Sequence, residues 1–442
     1  MNRQTIGALL GAIGLTVPWF GYWLLTLFTD RSVEHLSTNI TVLISGLSVL
    51  GAAFLLAWAA ETAERDVPRP FAIAVLAVLA VAPEYSVDAL YAWNAGAFAG
   101  TARGIEAGNL AVANMTGANR ILIGIGWAGI ALFTVYRRGS SLDPSVKDRA
   151  GVLAEAVSVD KDLALDIVFL MAATLWAFFV PLFGGIDALD MVILVGLYVT
   201  YILVVLRGDI EPTEEHVGVP AALQAQPKLR RFLTVITLFT YSGLLIFTAV
   251  EPFAHGLETI GTNIGVPSFF MIQWIAPLAS ESPELIVVVY LVNKARSTAG
   301  FNALISSKLN QWTLLIGTLV VVYSIANGQY GVLPFDAKQA AEIWLTAAQS
   351  FFALAILVNF EISVREAIML LILFVSQVVI EFLIIRDMVT LALSSYELLL
   401  VYTGVYLVLG TALFAMRRAA LKTLFERAGQ TIWAALPARI SE

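Results

Sequence analysis

The chain carries six charged side chains inside long apolar runs, where a water-soluble protein would have leucine or valine. They are the acids Glu84, Asp88, Glu281 and Glu284 and the bases Arg120 and Lys308. A charge at the centre of a bilayer costs about 2.5–3.5 kcal/mol, so all six would cost roughly 15–20 kcal/mol if they were unpaired. We therefore expect these groups to face a cavity, one another or an ion.

A proline directly precedes one acid in each half of the chain, at Pro83-Glu84 and Pro283-Glu284. Proline removes a backbone donor and interrupts a helix, so we expect freed carbonyl oxygens next to each carboxylate. Asp88 shares a helix face with the first glutamate, and Glu281 shares one with the second. Carboxylate, amide and carbonyl oxygens are the ligands that Na⁺ and Ca²⁺ prefer.

The order of polar residues repeats. Glu84 is followed by Asn114-Met115-Thr116-Gly117-Ala118-Asn119-Arg120, and Glu284 is followed by Asn302 through Lys308 to Asn310. Superposition pairs the two glutamates, the two leading asparagines and the two bases. Asn302, Ser306 and Asn310 form one polar stripe on a helix. The predicted ion-binding residues are Glu84, Asp88, Asn114, Glu281, Glu284, Asn302, Ser306 and Asn310, with Glu84 and Glu284 as the central metal ligands.

The composition requires a membrane to position these residues. Of the 442 residues, 59% are hydrophobic and only 13% are charged, and the mean hydropathy is +0.83. Soluble domains have about a quarter of their residues charged. The net charge of −7 provides no basic surface for nucleic acid, and the lack of cysteine excludes disulfides and thiolate sites.

Twelve apolar runs are long enough to span a bilayer, and no ten-residue alternating strands of a barrel are seen. We predict helices at about 6–28, 39–60, 71–92, 108–136, 163–182, 188–206, 232–250, 266–292, 301–325, 340–358, 364–385 and 395–416. This arrangement places 20 of the 26 lysines and arginines on one side of the membrane and four on the other. By the positive-inside rule both termini are cytoplasmic. The predicted fold class is an all-α polytopic membrane protein.

The spans divide into two five-helix units, and because five is odd the second unit is inverted relative to the first. The predicted domains are an extra N-terminal helix at 1–38, a first repeat at 39–206, a cytoplasmic central loop at 207–231, a second repeat at 232–385, and an extra helix with an amphipathic cytoplasmic tail at 386–442. A helix lying on the lipid surface and a solvated tail both fit that last segment.

The paired Pro-Glu helices, each followed by a helix like Asn-x-x-Gly-x-Asn, resemble the alpha repeats of the calcium/cation antiporter superfamily, the sodium/calcium exchanger family. The resemblance is strongest at Pro83-Glu84, Asn114 to Asn119 and Pro283-Glu284, and suggests a divergent bacterial-type member. It implies that the glutamates bind Ca²⁺, Na⁺ or H⁺ in alternating access. Leu79-Ala80-Val81 replaces family residues whose hydroxyl and carbonyl groups serve Na⁺, which favours a proton-coupled or altered-cation mechanism.

We expect a multi-pass antiporter of the bacterial plasma membrane that exchanges Ca²⁺ or Na⁺ for Na⁺ or H⁺. Its partners are these inorganic cations and the lipid bilayer, with no nucleic acid and no bound cofactor. The chain has no phosphate loop, zinc-type histidine pair or Gly-x-Ser-x-Gly elbow, so an enzyme is not expected. The alternative is a transporter on the same scaffold for a different solute, such as an anion bound by Arg120 and Lys308. A channel is disfavoured by inverted repeats with helix-breaking prolines. The oligomeric state stays open.

The charges suggest one coupling mechanism. Four carboxylates and two bases leave a formal −2, which one Ca²⁺, two Na⁺ or two H⁺ would balance. In this hypothesis Arg120 and Lys308 are built-in cations in place of bound sodium. Arg120 lies about 240° around the helix from Asn114, so it faces away from that stripe. A neighbouring acid such as Glu381 or Asp166 is then an alternative partner.

Overall fold

The computed structural model describes residues 3–28, 36–63, 65–66, 82–137, 143–207, 218–389 and 393–435, and the predicted all-α fold is confirmed. The α-helices are α1 (Arg3–Phe28), α2 (Thr38–Ala63), α3 (Ala82–Ala97), α4 (Ala102–Ile121), α5 (Ala128–Tyr136), α6 (Ala164–Ala177), α7 (Ala188–Arg207), α8 (Val219–Gln224), α9 (Lys228–Asn263), α10 (Ser268–Asn293), α11 (Ser297–Asn310), α12 (Ile316–Asn327), α13 (Ala337–Leu357), α14 (Val364–Ile385), α15 (Ser395–Met416) and α16 (Arg418–Ala435).

Within these ranges, ten helical segments are long and apolar enough to cross a bilayer, and α10 adds an eleventh if its two halves form one span. The other predicted span, at about 71–92, falls partly outside the described residues, and α3 covers its end. The protein is therefore a multi-pass membrane protein. The arginine-bearing loops at 137–162 and 207–231 also extend outside the described part, at 138–142 and 208–217.

The chain forms two compact units. The first comprises Met1–Tyr91 and Pro212–Pro283, and the second comprises Ala92–Glu211 and Glu284–Glu442. The chain passes from one unit to the other within α3 and within α10, the two helices that carry the Pro-Glu pairs. These units reflect which helices pack together, whereas the domains predicted from the sequence follow the internal repeat. The predicted domain limits therefore stay predictions.

In the first unit, α2 packs against α1 and α9. Its apolar core includes Leu55, Trp58 and Leu238. Hydroxyl groups connect the helices as well, because Thr16 Oγ1 lies 2.7 Å from the hydroxyl of Tyr241. Such hydrogen bonds between helices are common in membranes, where apolar burial alone cannot hold helices together.

In the second unit, two helices change from α to π geometry at equivalent places. A π-helix at Leu122–Trp127 follows α4, and another at Gln311–Leu315 follows α11. Each begins within three residues of an intramembrane base, Arg120 or Lys308. A π turn widens the helix and alters its backbone hydrogen bonds, and such turns occur frequently at functional sites.

Short antiparallel strands join the helix ends in the second unit. Strands β1 (Val146–Lys147), β2 (Ala156–Ser158) and β5 (Glu361–Ser363) form one sheet in the order β1-β2-β5, and β3 (Gly185–Ile186) pairs with β4 (Leu333–Pro334). The register pairs Val157 with Val146 on one side and with Ile362 on the other. Asp143, just before β1, accepts hydrogen bonds from the backbone N–H and the hydroxyl of Ser297 at the start of α11. This loop therefore fixes the start of α11.

In the tail, Arg418–Ala435 form the helix α16, and the amphipathic cytoplasmic tail expected within 386–442 stays a prediction. In α16, which contacts α6 and α7, Leu424 and Ala428 are buried, whereas Phe425 and Trp433 are exposed. Its inner face thus packs on protein, and its aromatic residues remain available to lipid. Residues 436–442 of the predicted tail lie outside the described part.

Candidate cation site

Glu84 and Asp88 lie on one face of α3 in the first unit and are 2% and 1% exposed. The helix begins at Ala82, so Pro83 occupies its first turn, where a missing N–H is tolerated. The first turn also favours the negative charge of Glu84, because the backbone N–H groups there carry partial positive charge. The first repeat therefore presents two buried carboxylates on one short helix.

The second Pro-Glu pair marks a break in α10. The helix bends at a break between the segments Ser268–Ser282 and Glu284–Asn293, which is where the interruption was predicted at the proline. Glu281, just before the break, is fully buried in the first unit. Glu284, just after the break, begins the second of the two chain segments that form the second unit. The equivalent residues before Ala82 in the first repeat lie outside the described part.

Glu284 and Asn302 present oxygens suited to a cation in the second unit. The hydroxyl of Ser307 donates to Glu284 Oε1 at 3.1 Å. The other carboxylate oxygen, Oε2, and the amide oxygen of Asn302 are both buried and accept no hydrogen bond within the described structure. A buried acceptor without a donor is costly. A bound cation would satisfy both oxygens, and the residues present fit one.

Ser306 has a partner that spacing along one helix could not reveal. Its hydroxyl donates to Asp166 Oδ1 on α6 at 3.0 Å, and the Tyr201 hydroxyl donates to the same oxygen at 2.8 Å. Because the Ser306 hydrogen points to Asp166, its lone pairs remain for another ligand. The Ser306 side chain is exposed. Asn114 and Asn310, two other predicted ligands that lie in the second unit, are buried. The structure adds Ser307 to the candidate ligands, because its hydroxyl contacts Glu284. The sequence could have suggested this residue, since the repeat pairs Ser307 with Asn119.

Arg120 forms a buried ion pair with Glu342 of α13, with 2.6 Å between Nη1 and Oε2. Its other terminal nitrogen donates to the side-chain oxygen of Gln377. The sequence predicted an acid on a neighbouring helix, and Glu342 is such an acid. Of the two examples named there, Glu381 pairs with Lys338 at 2.9 Å and Asp166 accepts hydrogen bonds from hydroxyls. Glu342 lies beside Arg120 because α4 packs against α13. The sequence contained a signal for Glu342, because it is an acid inside the predicted span at 340–358. The formal charge of −2 predicted for the site does not include this acid.

Lys308, the base of the second repeat, is fully buried at the end of α11. Its Nζ donates to Asn119 Oδ1 at 3.0 Å and to the backbone oxygen of Asn119 at 3.4 Å. It also lies 4.8 Å from the ring centroid of Trp312. Arg120 thus contacts a carboxylate, and Lys308 contacts two oxygens of Asn119 and the aromatic face of Trp312.

Buried paired acids, broken helices and π segments at matching positions are the geometry of an ion transporter. The sequence model of the sodium/calcium exchanger protein family matches residues 36–207 and 234–383 of the chain. The chain belongs to this family. Cation antiport, the predicted function, is thereby confirmed, and the sequence-level resemblance was correct. Family members are transporters and not enzymes.

Comparison with solved structures gives a similar protein and a shared fold. The chain is similar to a protein described as the H⁺/Ca²⁺ exchanger CAX, with 40% identity, a TM-score of 0.83 and coverage of 98% of this chain and 99% of that one. It also shares its fold with native YfkE, with 14% identity, a TM-score of 0.54 and coverage of 85% and 98%. Among curated protein sequences, no match to the chain is found.

Proposed function

We propose that this exchanger couples Ca²⁺ movement to H⁺ across the plasma membrane of its cell, with both termini in the cytoplasm. The observation that carries the proposal is the environment of Glu284, where one carboxylate oxygen is hydrogen-bonded and the other is buried without a donor. Such a carboxylate gains most from a proton or a hard cation. The likeness to an exchanger described as H⁺/Ca²⁺, at 40% identity, supports the same pair of ions.

In the proposed cycle Glu84 and Glu284 are the central Ca²⁺ ligands of the two repeats. The neighbouring acids Asp88 and Glu281 take up and release protons. A carboxylate must be deprotonated to bind a metal ion, so Ca²⁺ and H⁺ compete for it. Two protons carry the same charge as one Ca²⁺. Ca²⁺ and H⁺ are then exchanged if the acids are open to only one side of the membrane at a time, as in alternating access.

The amide and hydroxyl oxygens of the second helix in each repeat complete the proposed ligand set. Asn114 belongs to the first repeat, and Asn302, Ser306 and Asn310 belong to the second. Amide and hydroxyl oxygens serve hard cations without adding charge. Leu79-Ala80-Val81 has no hydroxyl for Na⁺, which supports protons as the counter-ion.

The anionic alternative gains no support. Arg120, which would have bound the anion, has its guanidinium paired with Glu342 and Gln377. A solute carboxylate would have to displace a partner that is already buried and matched in charge. The similar protein at 40% identity is likewise described as a cation exchanger.

The test uses purified protein in proteoliposomes with ⁴⁵Ca²⁺ outside. We expect an acid interior to drive Ca²⁺ uptake, and an equal outward Na⁺ gradient at uniform pH to drive none. Glu84→Gln and Glu284→Gln should each abolish the proton-driven uptake. Glu361→Gln is the matched control, because Glu361 pairs with Lys147 and Arg149 at strand β5 and should leave uptake unchanged. Uptake driven by Na⁺ alone would contradict proton coupling, and uptake that survives both site substitutions would contradict the assigned ligands.

A further inference from the structure

The long helix α9 carries two titratable side chains beyond the apolar run predicted at 232–250, because the helix continues to Asn263. They are His255 and Glu258, with 4.0 Å between Nδ1 of the histidine and Oε2 of the acid. Their side chains are 81% and 29% exposed, so both reach the surface of the first unit. The cycle proposed above uses neither of them.

The same acid contacts the helix that carries the first Pro-Glu pair. The hydroxyl of Tyr91, on α3, donates to Oε1 of Glu258 at 2.7 Å. Tyr91 is only 3% exposed, and it belongs to the first unit together with Glu258. One acid therefore connects a buried hydroxyl to an exposed histidine.

Tyr91 lies on the same face of α3 as the two buried acids of the first repeat. Glu84, Asp88 and Tyr91 follow one another at spacings of four and three residues, which places them in one row along the helix. Side chains one turn apart on a helix have Cβ atoms about 5–6 Å from each other, within reach directly or through one water. The row therefore leads from the buried carboxylates to the hydroxyl that contacts Glu258.

These residue types suit proton transfer, for which carboxylate and histidine side chains are the usual shuttles. A tyrosine hydroxyl can donate one hydrogen bond and accept another at the same time. A proton on Glu258 can therefore pass to the Tyr91 oxygen while the hydroxyl hydrogen of Tyr91 moves to the carboxylate of Asp88. Tyr91 ends unchanged, Asp88 is neutral, and the ionised Glu258 takes its next proton from His255 or from water.

We propose that Tyr91 and Glu258 form a proton path between Asp88 and the surface, with His255 at its outer end. This inference rests on the proposed exchange of Ca²⁺ for H⁺, in which Asp88 takes up and releases protons. With both termini in the cytoplasm, as proposed, this end of α9 lies outside the cell, so the path admits protons from there. Tyr91 and Glu258 carry protons and are not Ca²⁺ ligands.

The experiment compares two rates of the full-length protein in proteoliposomes. The first is ⁴⁵Ca²⁺ uptake driven by an acid interior, which requires proton movement. The second is exchange of external ⁴⁵Ca²⁺ for internal unlabelled Ca²⁺ at uniform pH, which requires none. The ratio of the two rates decides the outcome, because a poorly folded variant loses both.

Glu258→Gln keeps an oxygen that accepts the hydrogen bond of Tyr91, but it cannot carry a proton. We expect it to lower the ratio about tenfold, short of the roughly 10²–10⁴-fold that a group at a reacting centre contributes, because water still delivers some protons. Tyr91→Phe should lower the ratio similarly, and Glu258→His should retain most of it. Glu251→Gln is the matched control, since Glu251 is an exposed acid on the same helix, and its ratio should equal that of the native protein.

Membrane-impermeant MES buffer provides a second readout. Raising its concentration on both sides at constant pH and ionic strength should partly restore proton-driven uptake in Glu258→Gln, because the buffer replaces the missing proton carrier, and should not speed the native protein.

A ratio in Glu258→Gln equal to that of Glu251→Gln would overturn the proposal and leave the hydrogen bond as a tie between α3 and α9. So would a lowered ratio that added buffer does not raise. If Glu258→Gln is not obtained folded, the ratio in Tyr91→Phe decides alone. A native protein without proton-driven uptake would contradict the proposed function itself, whereas unchanged variant ratios leave that function standing.

Discussion

Arg120 and Glu342 form an ion pair that is almost completely shielded from solvent, with side-chain exposures of 2% and 0%. Lys338 lies 3.6 Å from the other oxygen of Glu342 and 2.9 Å from Glu381. Two bases thus face two acids in this cluster. The pair connects α4 to α13, and the role of Arg120 and Lys308 as built-in cations stays a prediction.

Removing one member of the Arg120–Glu342 pair should destabilise the protein more than removing both. Arg120→Leu leaves a buried carboxylate without its main partner, and the expected loss is about 3–5 kcal/mol of unfolding free energy. The double variant Arg120→Leu with Glu342→Leu should recover much of this loss. Tryptophan fluorescence during thermal unfolding measures the effect, and Lys147→Leu on the surface is the control, expected to change stability by less than about 1 kcal/mol. Additive losses in the double variant would contradict the pairing.

Asp166 should tune Ca²⁺ affinity by orienting Ser306. With Asp166→Asn, the hydroxyls of Ser306 and Tyr201 lose a charged acceptor, and the Ser306 oxygen is no longer held in one orientation. We expect the KM for Ca²⁺ to rise about tenfold, the equivalent of one charge-assisted hydrogen bond, with little change in the maximal rate. Tyr201→Phe keeps the acid and the Ser306 contact, so its KM should change less. Equal effects of the two substitutions would argue against a role through Ser306.

Asp143 should make part of the stability depend on pH. Burial acts to raise the pKa of Asp143, but the hydrogen bonds from Ser145 and Ser297 outweigh it and hold the pKa below its ordinary value. Because the pKa of Asp143 is lower in the folded than in the unfolded protein, its charge stabilises the folded protein fully at pH values above the unfolded pKa of about 4. This stabilisation is lost as the pH falls through the pKa of the folded state.

Asp143→Asn should therefore cost roughly 0.5–2 kcal/mol near neutral pH, as for loss of a helix cap. The difference in unfolding temperature between Asp143→Asn and the native protein should shrink as the pH is lowered from 7 to below 4. Glu361→Gln, at the neighbouring sheet, serves as the control. A difference that stays constant with pH would show that the charge of Asp143 does not contribute.

Much of this architecture could be predicted from local sequence. The apolar runs predict the spans, the prolines predict the break in α10, and the repeat pairs Asn119 with Ser307, both of which contact charged groups in the structure. These features depend on residues close together in the chain. The sequence motifs also led to the correct family.

Partners across helices could not be predicted in the same way. The contact of Arg120 with Glu342 spans 222 positions and depends on which helix faces α4, and periodicity along one helix does not encode that. The contact of Ser306 with Asp166 is of the same kind. The π-helices after Arg120 and Lys308 also escaped sequence reasoning, because a π turn has the same apolar composition as the α-helix around it.

The π-helix after α4 should depend on glycine at position 124. A Cβ added to Gly124 would lie 2.3 Å from Cγ of Phe374 and 2.7 Å from its Cβ, near the rigid base of that side chain. Gly124→Ala should therefore lower the free energy of unfolding by about 1–3 kcal/mol, the usual cost of overpacking. Gly129→Ala, five residues on, is the matched control, because no neighbouring atom lies within 4 Å of its added Cβ and helix propensity favours alanine. Phe374→Ala combined with Gly124→Ala should cost less than the sum of the two single changes, since the cavity accepts the methyl group. Equal unfolding temperatures for Gly124→Ala and Gly129→Ala would contradict the close approach of α14 to this π segment.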